Sequence, residues 1–248
     1  MTARAQLIKL SRTLGVPVEE LDYLAAVPDA DLIAFRMQVA DWLFEGQVVG
    51  LRKVAAAAKV IPTPIIAKLI MRNRNALLAA KTASVLDPSH ARDVAKRLPA
   101  DFLADIAAQL DAHRSAPIIG RLPETTVVAV SAELERRADW LTLGNLMTTL
   151  SERATRVAQA ELGGDALVQA AYLVDGPDLT RVIGLISEPK LIEMVEAVAE
   201  RDLWEEYRAV LAALPESALE RLRTATEHLP TGPRERALDE IGARRTTG

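Results

Sequence analysis

The sequence predicts an all-α protein: a superhelix, or solenoid, of short antiparallel helices with an internal repeat of 64 residues. Three observations predict it. The 248-residue chain is 50% apolar yet only 4% aromatic. A composition dominated by Ala, Leu and Val favours closely packed helices over sheets, whose strands draw on β-branched and aromatic residues. Amphipathic segments of about 10 to 14 residues alternate with turn signals, and nowhere do apolar and polar residues alternate long enough to specify a strand. Finally, a shift of 64 residues lays 86–149 over 150–213 without a gap.

The turn signals fall at Val27-Pro28-Asp29, Ile61-Pro62-Thr63-Pro64, Leu86-Asp87-Pro88, Leu98-Pro99, Leu122-Pro123, Gly163-Gly164, Gly176-Pro177, Leu214-Pro215 and Leu229-Pro230. Proline in the first turn of a helix lacks a hydrogen that would be unpaired there anyway. Asp87-Pro88 and the Leu-Pro pairs therefore read as helix starts behind a closing leucine. Gly163-Gly164 reads as a turn.

The repeat rests on twelve identical pairs, among them Arg92/Arg156, Leu98/Leu162, Asp101/Asp165, Asp111/Asp175, Gly120/Gly184, Glu124/Glu188, Arg137/Arg201 and Trp140/Trp204. A third unit opens at Leu214-Pro215-Glu216. Short helix pairs have apolar stripes too small to close on themselves, so neighbours must stack into one core. In that stack Trp140 and Trp204 wedge between layers, and Gly120 and Gly184 permit close helix approach. Arg137 and Arg201 sit near helix ends, where a cation suits the carbonyl dipole, and Asp111 caps the helix that follows it.

The expected division is a helical cap over the first repeat at 1–45, a basic helical hairpin at 46–85, and one continuous superhelix at 86–248. The hairpin reads as two helices, Gln47 to Val60 and Ile65 to Ser84. The cap supplies apolar contacts from Leu10, Leu21, Leu32, Phe35 and Trp42.

The run Leu98-Pro-Ala-Asp-Phe-Leu-Ala-Asp-Ile-Ala-Ala-Gln-Leu110, followed by Ala116-Pro-Ile-Ile-Gly-Arg-Leu-Pro123, resembles the N-terminal superhelical domain of MgtE-type magnesium transporters. Over about residues 86–230 it shows the same leucine-proline, helix, shorter-helix units. The resemblance implies a fold rather than transport, because the regulatory and transmembrane domains of those transporters are not matched here. It also implies one functional alternative, a magnesium-responsive regulatory domain, although no position matches closely enough to carry a metal ligand across.

Composition excludes several chemistries. There is no cysteine, hence no disulfide, thiolate metal site or cysteine nucleophile. His90, His113 and His228 stand far apart in sequence. Glu193, Glu196 and Glu200 line one helix face, whereas a hard cation wants carboxylates from several directions. Nucleotide and nucleophile-elbow motifs are absent. No catalytic residue, metal ligand or cofactor is expected, and the protein reads as a non-enzyme. No secretion signal is evident, and Val54–Met71 is interrupted by Lys59, Pro62, Pro64 and Lys68, too broken to span a bilayer. The expected location is cytoplasmic, or peripheral to a membrane.

Charge carries the functional hint. Residues 1–100 hold 14 Lys/Arg against 9 Asp/Glu, and 101–248 hold 16 against 25. Residues 46–86 hold seven cations and no acid. The candidate binding surface is accordingly Arg52, Lys53, Lys59, Lys68, Arg72, Arg74 and Lys81, with Lys68, Arg72 and Asn75 as one stripe. It suits a protein partner or a homo-oligomer, or, alternatively, an anionic membrane surface or lipid-like hydrophobic ligand. Nucleic acid fits poorly, since the run lacks aromatic residues for base stacking.

Overall fold

A computed structural model describes residues 3–45, 61–84 and 86–243. Every regular element in them is helical, and the protein is an all-α helical-repeat protein. In chain order the elements are α1 (Ala3–Leu14), a 3₁₀ helix (Val18–Leu24), α2 (Asp29–Glu45), α3 (Thr63–Asn73) and α4 (Ala76–Ala83). The first full repeat comprises α5 (Pro88–Ala95), α6 (Ala100–Ala107), α7 (Ala112–Ile119), α8 (Glu124–Arg136) and α9 (Trp140–Thr149). The second comprises α10 (Glu152–Glu161), α11 (Gly164–Tyr172), α12 (Gly176–Gly184), α13 (Glu188–Glu200) and α14 (Trp204–Ala213). The chain continues with α15 (Glu216–Thr226) and α16 (Thr231–Ala243).

The register of the repeat is kept helix by helix. Each of α10 to α14 begins 64 residues after its counterpart among α5 to α9, and α4 and α15 extend the series at both ends. The backbone repeats a rarer feature at the same interval. Arg74, Ala138 and Asp202 adopt left-handed conformations with φ of 40°, 53° and 55°. Each ends the long helix of its unit, where a reversal must be made within two residues.

Several starts carry side-chain caps. Asn75, Asp111, Asp139 and Ser151 accept the N–H of Leu78, Arg114, Thr142 and Ala154, and Asp87 accepts that of Ser89. Pro99, Pro123 and Pro215 hold extended backbone immediately before α6, α8 and α15, as the Leu-Pro pairs predict.

The chain forms two compact units, 46–162 and the discontinuous pair 1–45 with 163–248. The N-terminal segment 1–45 groups with 163–248. Within 46–162, α3 packs on α5, α4 on α6, α6 on α8 and α8 on α10. Within the other unit, α11 packs on α13 and α13 on α15.

One polar cluster ties residues 1–45 into their unit. Lys9 is 4% exposed, and its Nζ donates to Asp175 Oδ1 at 2.7 Å. Gln6 Nε2 donates to the same oxygen at 3.1 Å, and Arg36 Nη2 approaches Oδ2 at 3.4 Å. Asp111 caps α7, but Asp175 at the equivalent position makes no side-chain cap and turns to Lys9 instead. Burial pushes the Asp175 carboxyl up. Lys9, Gln6 and Arg36 outweigh burial and hold it below its ordinary value. For Lys9 burial dominates and lowers its pKa against the pull of Asp175.

Close helix approach occurs at a different glycine from those expected. A Cβ on Gly164 would stand 2.2 Å from the Glu193 carbonyl oxygen, so α11 and α13 touch backbone to backbone there. A Cβ on Gly120 would lie 3.2 Å from the Ala116 carbonyl, and one on Gly184 would meet nothing within 4 Å. The two tryptophans also diverge. Trp204 is 5% exposed, edge-on to Tyr207 and under the Arg236 guanidinium, whereas Trp140 is only partly buried.

Two predictions follow from these contacts. Gly164→Ala is expected to destabilise by about 1–3 kcal/mol through overpacking, and Gly184→Ala to change stability by less than about 1 kcal/mol; urea unfolding midpoints compare them. Asp175→Asn removes the partner of the buried Lys9 cation and should cost about 3 kcal/mol, the low end for a buried pair, because Asp175 is 30% exposed. Because the folded carboxyl is depressed, its contribution is complete above the unfolded Asp pKa of ~3.9 and fades as pH falls through the lower folded value. Wild-type stability should therefore fall below about pH 4 more steeply than that of Asp175→Asn, as measured by denaturation across pH.

Candidate functional site

The predicted basic surface is resolved residue by residue. Arg52, Lys53 and Lys59 lie outside the described residues. The single helix expected from Ile65 to Ser84 is instead two, because Arg74 turns left-handed and Asn75 caps α4. The stripe Lys68, Arg72, Asn75 therefore ends at Arg72.

Lys68 and Arg72 lie exposed on α3, and neither has an acidic partner among the described residues. Lys81 is half-buried on α4. Arg74 departs from the expected role: its Nη2 donates to Asp101 Oδ2 at 2.8 Å, and its guanidinium carbon lies 5.0 Å from the Phe102 ring centre. That contact is structural, joining the α3–α4 junction to the first turn of α6. The Arg74 hydrogen bond, followed by the Phe102 backbone N–H, holds the Asp101 carboxyl below its ordinary value.

Around Lys68 and Arg72 the surface is apolar. Ile65, Leu69, Leu77 and Leu78 are each about half exposed, between 46% and 51%. The opposite sides of the same helices are buried through Ile66, Ala67, Ala79 and Ala80.

The remaining surface charge is largely tied into the repeat. Arg137, expected at a helix end, reaches back to α6: Nη1 to Asp105 Oδ1 at 2.5 Å and Nη2 to the Asp101 carbonyl at 2.9 Å. Arg201 in the next repeat meets Asp165 at 3.2 Å. Arg136 and then Arg137 lower the Glu133 carboxyl to about 2. Glu124 and Glu188 each hold an arginine from the helix two further on, Arg153 and Arg221. Of the acidic stripe, Glu193 pairs with Lys190 at 2.5 Å.

Behind α3 and α4, the 46–162 unit holds a partly open cavity of about 100 Å³. Aliphatic side chains form most of its wall, including Ile70, Val94, Leu103, Ile106 and Val130; the polar lining residues are Thr82, Thr142 and Asn145. Small residues open it. Ala79, Ala83 and Ala91 line the space, whereas positions 128 further along hold Tyr207, Leu211 and Leu219, buried to 1% exposure or less. No sequence motif marks the cavity; its signal is the loss of side-chain volume between aligned repeats.

Among the described residues, no three of His, Cys, Asp and Glu are placed to share a metal ion, and no helix is long and apolar enough to cross a membrane. No protein family, curated protein or solved structure matches the chain.

Arg74→Ala is expected to destabilise the protein by about 1 kcal/mol, the scale of one exposed ion pair with a cation–π contact. The double variant Lys68→Glu/Arg72→Glu should stay within about 0.5 kcal/mol of wild type. Thermal unfolding of the two variants separates the structural cation from the free ones.

Proposed function

We propose that the protein is a non-enzymatic helical-repeat binding protein that engages an acidic protein partner through the outward face of α3 and α4. The observation that carries this reading is the exposure of Lys68 and Arg72, without acidic partners, among half-exposed Ile65, Leu69, Leu77 and Leu78. An apolar centre rimmed by charge is the usual anatomy of a protein–protein contact.

Comparison along the repeat strengthens it. The positions equivalent to Ile65, Lys68 and Arg72 in α13 are Glu193, Glu196 and Glu200. One face of the framework is thus basic and apolar in α3 and acidic in α13. The sign is set locally rather than by the fold, and the α3 version selects an anionic counterpart.

A membrane is the weaker candidate. A cation near an anionic bilayer contributes about 1 kcal/mol, and stable recognition draws on clusters of about 4–8 of them. Among the described residues Lys68 and Arg72 supply about 2 kcal/mol on that scale, and the neighbouring leucines are only half exposed. A protein surface of matching shape adds buried area that these side chains can use.

The test is quantitative affinity capture from native lysate with wild type, Lys68→Glu/Arg72→Glu and Arg136→Glu. A partner held by this face is lost from the double variant and at high salt, and is retained by Arg136→Glu. Equal capture by all three proteins, or co-sedimentation of the wild type with anionic vesicles in place of a protein, would rule the reading out.

A further inference from the structure

We infer that the cavity of the 46–162 unit is a binding site for a small uncharged aliphatic molecule bearing one hydrogen-bonding group, a medium-chain alcohol being the simplest member of the class. The proposal stands independently of the partner-binding face.

Four observations lead to it. Among the described residues the cavity lining includes no charged and no aromatic side chain, so neither a carboxylate nor a stacked ring finds a counterpart among them. Its volume of about 100 Å³ approaches that of an engineered ~150 Å³ apolar cavity that accepts benzene, which sets the occupant at roughly six carbon atoms.

The polar groups in the wall are also selective. The Thr142 hydroxyl already donates to Asp139 Oδ2 at 2.8 Å. Thr82 and Asn145 line the cavity, and neither side chain has a partner among the described residues. An amide offers both a donor and an acceptor, which a hydroxyl can answer with its own pair.

Last, the departures from the repeat coincide at this one place. Thr82 is matched by Leu146 and Val210, and Asn145 by Ala209. Ala79 is matched by Leu143 and Tyr207, and Ala83 by Met147 and Leu211. The lost volume lies on α4, and the added polarity comes from Thr82 on α4 and Asn145 on α9. Stability alone favours filling such a space with apolar side chains.

The experiment uses the full chain with 1-hexanol, hexanoate and xenon as probes. Methyl NMR of the wild type should show shifts on adding 1-hexanol that concentrate at Val94, Leu103, Ile106 and Val130, with a concentration-dependent rise in Tm. Hexanoate should bind at least tenfold more weakly. Ala79→Leu/Ala83→Met, which installs the residues of the next repeat, should abolish both responses. The single variant Ala83→Met, expected to weaken 1-hexanol severalfold, serves if the double variant does not fold. Asn145→Ala should weaken 1-hexanol about five- to tenfold, the scale of one hydrogen bond, and leave xenon binding unchanged. Methyl shifts scattered over the surface, or undiminished 1-hexanol binding in the filled variants, would overturn the site. Equal loss of xenon and 1-hexanol in Asn145→Ala would overturn the polar anchor.

Discussion

Helices of eight to thirteen residues, such as α5 to α8, gain too few hydrogen bonds to offset nucleation when isolated in water. Each persists here because one face is buried against the helix two places along the chain. That contact, repeated from α3 to α10 in one unit and from α11 to α15 in the other, is the constraint on which everything else rests. It explains why helix starts keep a common interval even where few side chains are identical. It also explains why left-handed residues recur at Arg74, Ala138 and Asp202: a long helix must stop at the same level each time for the next to reach its neighbour.

The parts of the fold that were legible in the sequence are those governed by local chemistry. Leu-Pro pairs and capping Asp residues mark where helices begin, because an extended proline or a carboxylate beside free N–H groups acts within three residues of itself. What escaped the sequence depends on distant partners. Gly164 looked like half of a Gly-Gly turn, and its close contact is set by a carbonyl at Glu193. Nothing adjacent to Lys9 in the sequence announces its burial, which goes with its pairing to Asp175. The break at Arg74 carries neither glycine nor proline to announce it. The exposed cations were legible as an acid-free run, but not which of them were already occupied.

The cavity occupies an intermediate case. Ala79 and Ala83 are unremarkable helix residues when read alone. They become informative only beside Leu143 and Met147, or Tyr207 and Leu211, which occupy the same places in the framework. A repeat protein carries its own controls: each copy shows what the others would hold if packing alone decided. The same comparison separates Lys68 and Arg72 from Glu196 and Glu200 on one helical face.

The discontinuous unit has a consequence for synthesis. Lys9 emerges early, yet the carboxylate that neutralises it follows 166 residues later. At translation rates of about 5–20 residues per second, that delay is on the order of 10–30 s. Leu7 and Leu10 meet their neighbours Leu21 and Leu32 early, but Lys9 and Gln6 wait for Asp175 until residues 46–162 have been made. One of the first cations to leave the ribosome is thus among the last to find its counter-charge.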